Sequence, residues 1–79
     1  MLAEQVERKV YFALGRFVHE ISSVSVDLRN SGGEETCVVA VTTVESRERF
    51  RIRQTGSEGG GALARAVDRA GRALARRRS

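Results

Sequence analysis

Residues 22–54 read SSVSVDLRNSGGEETCVVAVTTVESRERFRIRQ, and this stretch decides the fold. Over 22–29, Val24, Val26 and Leu28 alternate with Ser23, Ser25, Asp27 and Arg29. A period of two is what a half-buried strand requires, because successive side chains leave opposite faces. Asn30-Ser31-Gly32-Gly33 is a turn cluster. A second strand is expected over 36–45, with Cys37, Val39 and Val41 on one face and Val38, Ala40, Thr42 and Val44 on the other. Glu45-Ser46 is the expected hairpin tip. In a third strand over 47–54, Phe50 and Ile52 point inward, while Arg47, Arg49, Arg51 and Arg53 point outward. Three consecutive strands with short connections make an antiparallel meander.

Working outward, residues 3–21 read as an amphipathic helix. Leu2, Val6, Val10, Ala13, Phe17 and Ile21 recur at three- and four-residue spacing and form one apolar stripe, which Leu14 widens. Gly15 costs ~1 kcal/mol relative to Ala inside a helix. Opposite the stripe fall Arg8, Lys9, Phe12, Arg16 and His19. Beyond the strands, residues 55–61, TGSEGGG, read as a flexible linker. A last helix is expected over 62–78, with Leu63, Val67, Ala70 and Leu74 as its stripe and Ala66 and Ala73 beside it. Arg65, Arg69, Arg72 and Arg76 repeat at the same spacing about half a turn away, at ~100° per residue. The expected fold is α+β: α-β-β-β-α, a three-stranded antiparallel sheet with two helices on one face. It is a single domain over 1–79.

Length and composition agree with one small globular unit. The chain has 79 residues, 41% hydrophobic and 30% charged, which is too apolar for a disordered chain. No apolar run approaches the ~20 residues of a membrane span. The start, MLAEQVERK, lacks the basic and apolar regions of a secretory signal. A single Cys37 makes no internal disulfide and fits a reducing, cytoplasmic setting.

The charge is uneven. The net charge is +4, yet residues 62–79 carry six arginines against Asp68 alone, and residues 1–61 carry eight basic and nine acidic residues. The whole excess lies at the C-terminal end, which points to a polyanionic partner. Like charges at four-residue spacing on one helix cost a few tenths of a kcal/mol each. A face selected only for solubility mixes signs.

Catalytic signals are absent from the pattern. Cys37 falls on the inward face of a strand and His19 on the outer face of a helix, so no nucleophile sits beside a base. Cys37 reads as a small core residue. No Cys/His set has metal-ligand spacing, and no cofactor is expected. Gly59-Gly60-Gly61 precedes a helix, but the Lys-Ser/Thr of a phosphate-binding loop does not follow. Phe12 among Arg8, Lys9 and Arg16 can stack on a base, pack on a partner or stand exposed. The strand arginines read either as a solvated face or as a second basic surface.

Three segments carry a family resemblance: RKVYFALGRFVHEISSVSVDL, ETCVVAV and ALARAVDRAGRALARRR. In order and spacing, over roughly residues 4–78, the chain resembles the ribosome hibernation-promoting factor family. These are ribosome-associated translation inhibitors with a β-α-β-β-β-α fold, whose basic helix faces bind the RNA of the small ribosomal subunit. By position the resemblance gives that RNA-binding role to Arg8, Lys9, Arg16, Arg65, Arg69, Arg72 and Arg76. The family has Asp-Leu/Met-Tyr where this sequence has Ala62-Leu63-Ala64. It also opens with a strand before the first helix and, in long members, adds a C-terminal dimerisation domain. Without that first strand, residues 22–29 are expected to form an open edge that pairs with a second copy as a homodimer. The α-β-β-β-α order also matches double-stranded-RNA-binding domains. A protein-interaction module using the open edge is a further alternative.

Overall fold

A computed structural model describes residues 2–45, 49–57 and 61–78. It has helix α1 (Leu2–Leu14), a single 3-10 turn (Gly15–Phe17), strands β1 (Ile21–Ser31), β2 (Glu34–Thr43) and β3 (Arg49–Ser57), and helix α2 (Ala62–Arg78). The sheet is three-stranded, in order β1-β2-β3, with both pairs antiparallel. The α+β reading and the α-β-β-β-α order hold.

Several boundaries differ from the sequence reading: β1 runs on to Ser31, β2 ends at Thr43 instead of 45, and two larger differences bear on the site. The helix expected over 3–21 ends at Leu14. Gly15 stands where the α-helix tightens, and Val18 N–H closes the 3-10 turn on the Gly15 carbonyl at 3.1 Å. Ile21 fits a helical stripe by spacing, but it belongs to β1, where it pairs with Thr43. The Val44 N–H donating to the Glu20 carbonyl at 2.9 Å secures this end of the sheet. Sheet pairing wins over helix periodicity because a four-residue spacing of apolar groups does not itself fix the backbone.

The second correction concerns the linker expected over 55–61. Thr55, Gly56 and Ser57 continue β3, with Gly56 opposite Glu35 and Ser57 opposite Glu34. β2 begins two residues earlier than the pattern suggests, at Glu34, and its ladder supplies partners for a Gly/Ser-containing segment. Residues 58–60, and with them Gly59 and Gly60, lie outside the described residues, as do Ser46 and Arg47 at the β2–β3 tip.

The turn between β1 and β2 is Gly32-Gly33 alone. Their φ values are +57° and +82°, the left-handed conformation at both central positions that a tight hairpin needs and glycine adopts without strain. The core lies between sheet and helices. Leu14, Phe17, Cys37, Val39, Val41, Ala62, Leu63, Ala66, Val67, Ala70 and Leu74 are buried, and Val6, Val10, Val24, Val26, Leu28, Phe50 and Ile52 pack against them half-buried. α2 meets α1 closely at Gly71. A Cβ there would lie 3.3 Å from the Ala13 carbonyl oxygen and 3.6 Å from Leu14 Cδ2. Glycine at this point sets the spacing of the two helices.

Candidate nucleic-acid interface

The early end of α1 positions the site. It turns the chain so that Arg16 leaves the 3-10 turn toward α2. There Arg16, Arg69, Arg72 and Arg76, with Ala75, line one hollow of about 550 Å³. All four arginines are exposed. Arg69, Arg72 and Arg76 share a face by their three- and four-residue spacing, and the small Ala75 leaves room between them.

Arg16 is held from below. Its guanidinium carbon stands 4.8 Å from the centroid of the Phe17 ring, a cation–π contact to the aromatic that anchors the turn in the core. Arg72 pairs with Asp68 at 3.0 Å across one helical turn. Both side chains are more than half exposed, so solvent screens the pair and it contributes a few tenths of a kcal/mol. Its effect is to hold one arginine of the hollow in place while leaving a net cationic surface.

The remaining residues expected to bind RNA separate from this hollow. Arg65 turns the other way: its Nη2 donates to the Thr55 carbonyl at 3.1 Å, across the end of β3. The unbroken line Arg65–Arg69–Arg72–Arg76 therefore divides after its first member. Arg8 and Lys9 are exposed on α1 and do not line the hollow. Phe12 is 90% exposed, on the wet face as its phase in α1 required. His19 is exposed, and Arg77 lies over the Phe50 ring at 4.8 Å. Nothing in the spacing of Arg77 signalled that contact, because Phe50 comes from a distant strand.

A second surface lies along the edge that the sequence reading expected to be open at residues 22–29. Val6, Glu7, Val10 and Tyr11 of α1 and Val24, Val26 and Leu28 of β1 line an apolar groove of about 700 Å³ along the outer edge of β1. Tyr11 and Glu7, outside the apolar stripe of α1, widen the groove beyond the residues that the spacing marked.

Cys37 is buried in the central strand. Burial pushes its thiol above the ordinary cysteine range, and the Glu35 and Asp27 carboxylates push it further in the same direction. A thiol held in its neutral form is a poor nucleophile. Among the described residues there is no cluster of three or more His, Cys, Asp or Glu able to hold a metal ion. No described helix is long and apolar enough to cross a membrane. Compared with known proteins, the chain matches no family model and no curated protein.

Proposed function

We propose that this chain is a ribosome-associated RNA-binding domain of the hibernation-factor type. It would act in the cytoplasm on the small ribosomal subunit, by occupying RNA rather than by catalysis. The observation that carries the reading is the convergence of Arg16, Arg69, Arg72 and Arg76 on one hollow. Four guanidinium groups from two elements, facing one space, suit a phosphate backbone: each offers a planar fork of donors that matches phosphate oxygens. The sequence resemblance over both helices supports the ribosomal partner.

Co-sedimentation with purified ribosomal subunits over a salt series tests this. Contact with phosphates makes log K fall linearly with log salt, by about 0.7–0.9 per contact. Arg69→Glu with Arg72→Glu is expected to abolish association while the domain stays folded, since both side chains are exposed. A folded double variant that sediments like the parent overturns the reading. Equal affinity for any RNA duplex, without preference for the subunit, would favour the double-stranded-RNA-binding alternative that shares this element order.

The groove beside β1 favours a second reading, an interaction module that takes a strand from a second copy. Antiparallel pairing centred on Val26 sets Val24 against Leu28 of the partner subunit and keeps both apolar faces on one side. Light scattering at micromolar concentration tests it, and a monomer refutes it.

A further inference from the structure

β3 carries Arg49, Arg51 and Arg53 at alternate positions, all exposed on the sheet face turned away from the helices. The register fixes what lies beside them. Arg49 is opposite Thr42, Arg51 opposite Ala40 and Arg53 opposite Val38. On β1 the same rows end in Ser23, Ser25 and Asp27. The middle row is short, and Ala40 is only 5% exposed. The arginines thus form a ridge along one edge of a shallow floor, with the small side chains of Val38, Ala40 and Thr42 beside them and the polar Ser23, Ser25 and Asp27 beyond.

Among the described residues, little negative charge offsets that ridge. Asp27 is engaged by Arg29, whose Nε lies 3.3 Å from Oδ2. Glu34 pairs in register with Ser57, four residues along β3 from Arg53, or about 13 Å at ~3.3 Å per residue. Arg49 Nη2 donates to the neutral Ser25 Oγ at 3.3 Å. Among the described residues no salt bridge reaches Arg49, Arg51 or Arg53. Three like charges about two residues apart on one strand face repel one another. An ordinary solvated face relieves this by mixing signs.

The chemistry selects the partner. The ridge is arginine throughout, the side chain whose fork matches phosphate. Among the described residues of the strands, this face carries Val38 but no aromatic and no Leu, Ile or Met, the side chains that a membrane-surface site needs to enter the headgroup layer. We infer that the outer sheet face is a second RNA-backbone surface, opposite the helix hollow, so that one copy of the domain holds two RNA segments at once. This rests on the RNA-binding reading of the helix face. It extends that reading from a one-sided module to a clamp between two stretches of RNA.

Fluorescence anisotropy of a labelled single-stranded RNA oligonucleotide, titrated with the 79-residue chain over a salt series, separates the two surfaces. Arg51→Glu with Arg53→Glu is expected to lower the magnitude of the log K against log salt slope by about 1.4, two contacts at ~0.7 each for single strands. Arg69→Glu with Arg72→Glu, which leaves too little affinity to co-sediment with the subunit, is expected to keep weaker binding of the free oligonucleotide through the outer face, and all four changes together to remove it. RNA in excess is expected to load two oligonucleotides per copy. Arg51→Gln with Arg53→Gln, which removes charge without adding any, gives the same change of slope if the glutamate pair fails to fold. An outer-face variant with unchanged affinity and slope overturns the second surface and leaves the helix-face reading intact. So does complete loss of binding in the helix-face variant alone. A parent chain without RNA affinity overturns both.

Discussion

Phe17 and Phe12 lie five residues apart near the end of α1, and the structure gives them opposite fates. Phe17 is 1% exposed and Phe12 90% exposed. A buried Phe removes ~150–250 Å² from water. At ~25 cal/mol per Å² that is about 4–6 kcal/mol of transfer free energy, of which an alanine in its place keeps a small part. Phe17→Ala is therefore expected to cost roughly 3–5 kcal/mol, the range measured for core phenylalanines. A 79-residue domain at ~0.05–0.15 kcal/mol per residue holds about 4–12 kcal/mol in total. The substitution thus removes a large share of the stability, and a drop in Tm of roughly 12–40 °C follows. Phe12→Ala is expected to stay within ~0.5 kcal/mol, as for an exposed position. Urea and thermal unfolding followed by circular dichroism measure both. Similar shifts for the two variants would show that the phase of α1 is wrong, and with it the position of Arg16. Phe17→Leu adds a functional readout. It keeps most of the volume but removes the ring under Arg16, so RNA affinity is expected to fall by more than stability explains.

Two further perturbations test the core and the helix spacing. The folded thiol of Cys37 is pushed upward, so its contribution to stability is fully present below the unfolded cysteine pKa of ~8.5 and is lost as pH rises toward the folded value; Cys37→Ala is expected to flatten that alkaline decline, and an unchanged pH profile of urea unfolding would refute the cause. At Gly71 a larger side chain would gain ~1 kcal/mol in helix propensity but meet the Ala13 carbonyl oxygen, so Gly71→Leu is expected to destabilise by about 1–2 kcal/mol net; a rise in Tm would show that α1 gives way there at no cost.

The sheet was legible because its cues are local. Alternation of Val24, Val26 and Leu28 marked the inner face of β1, and the Asn30-Ser31-Gly32-Gly33 cluster marked the turn, although Asn30 and Ser31 pair with Glu35 and Glu34 as the end of β1. The helix end was not legible. Phe17 and Ile21 continue the apolar spacing of α1, and only pairing with Thr43, more than twenty residues away, commits Ile21 to a strand. The reach of β3 was hidden for the same reason. Thr55-Gly56-Ser57 looks like a linker until Glu34 and Glu35 are placed opposite it. Arg65 was misplaced by a regularity that was real in the helix but blind to the β3 carbonyl within its reach.

These same places shape the candidate site, which is where local and global preferences are expected to disagree. Had α1 continued to residue 21, Arg16 would follow the helical screw of Arg8, Lys9 and Phe12 into open solvent. With the break at Gly15, Phe17 stays in the core, where the apolar stripe also placed it, and its ring carries Arg16 toward α2. Gly71 then allows α2 to approach within contact of Ala13 and Leu14, which brings Arg69, Arg72 and Arg76 to the same hollow. The cationic cluster is thus a product of two glycines and one buried ring, none of which carries charge. It follows that substitutions at Gly15, Phe17 or Gly71 are expected to alter RNA binding through the position of Arg16, while Arg8→Ala, which changes a charge outside the hollow, is expected to alter it less.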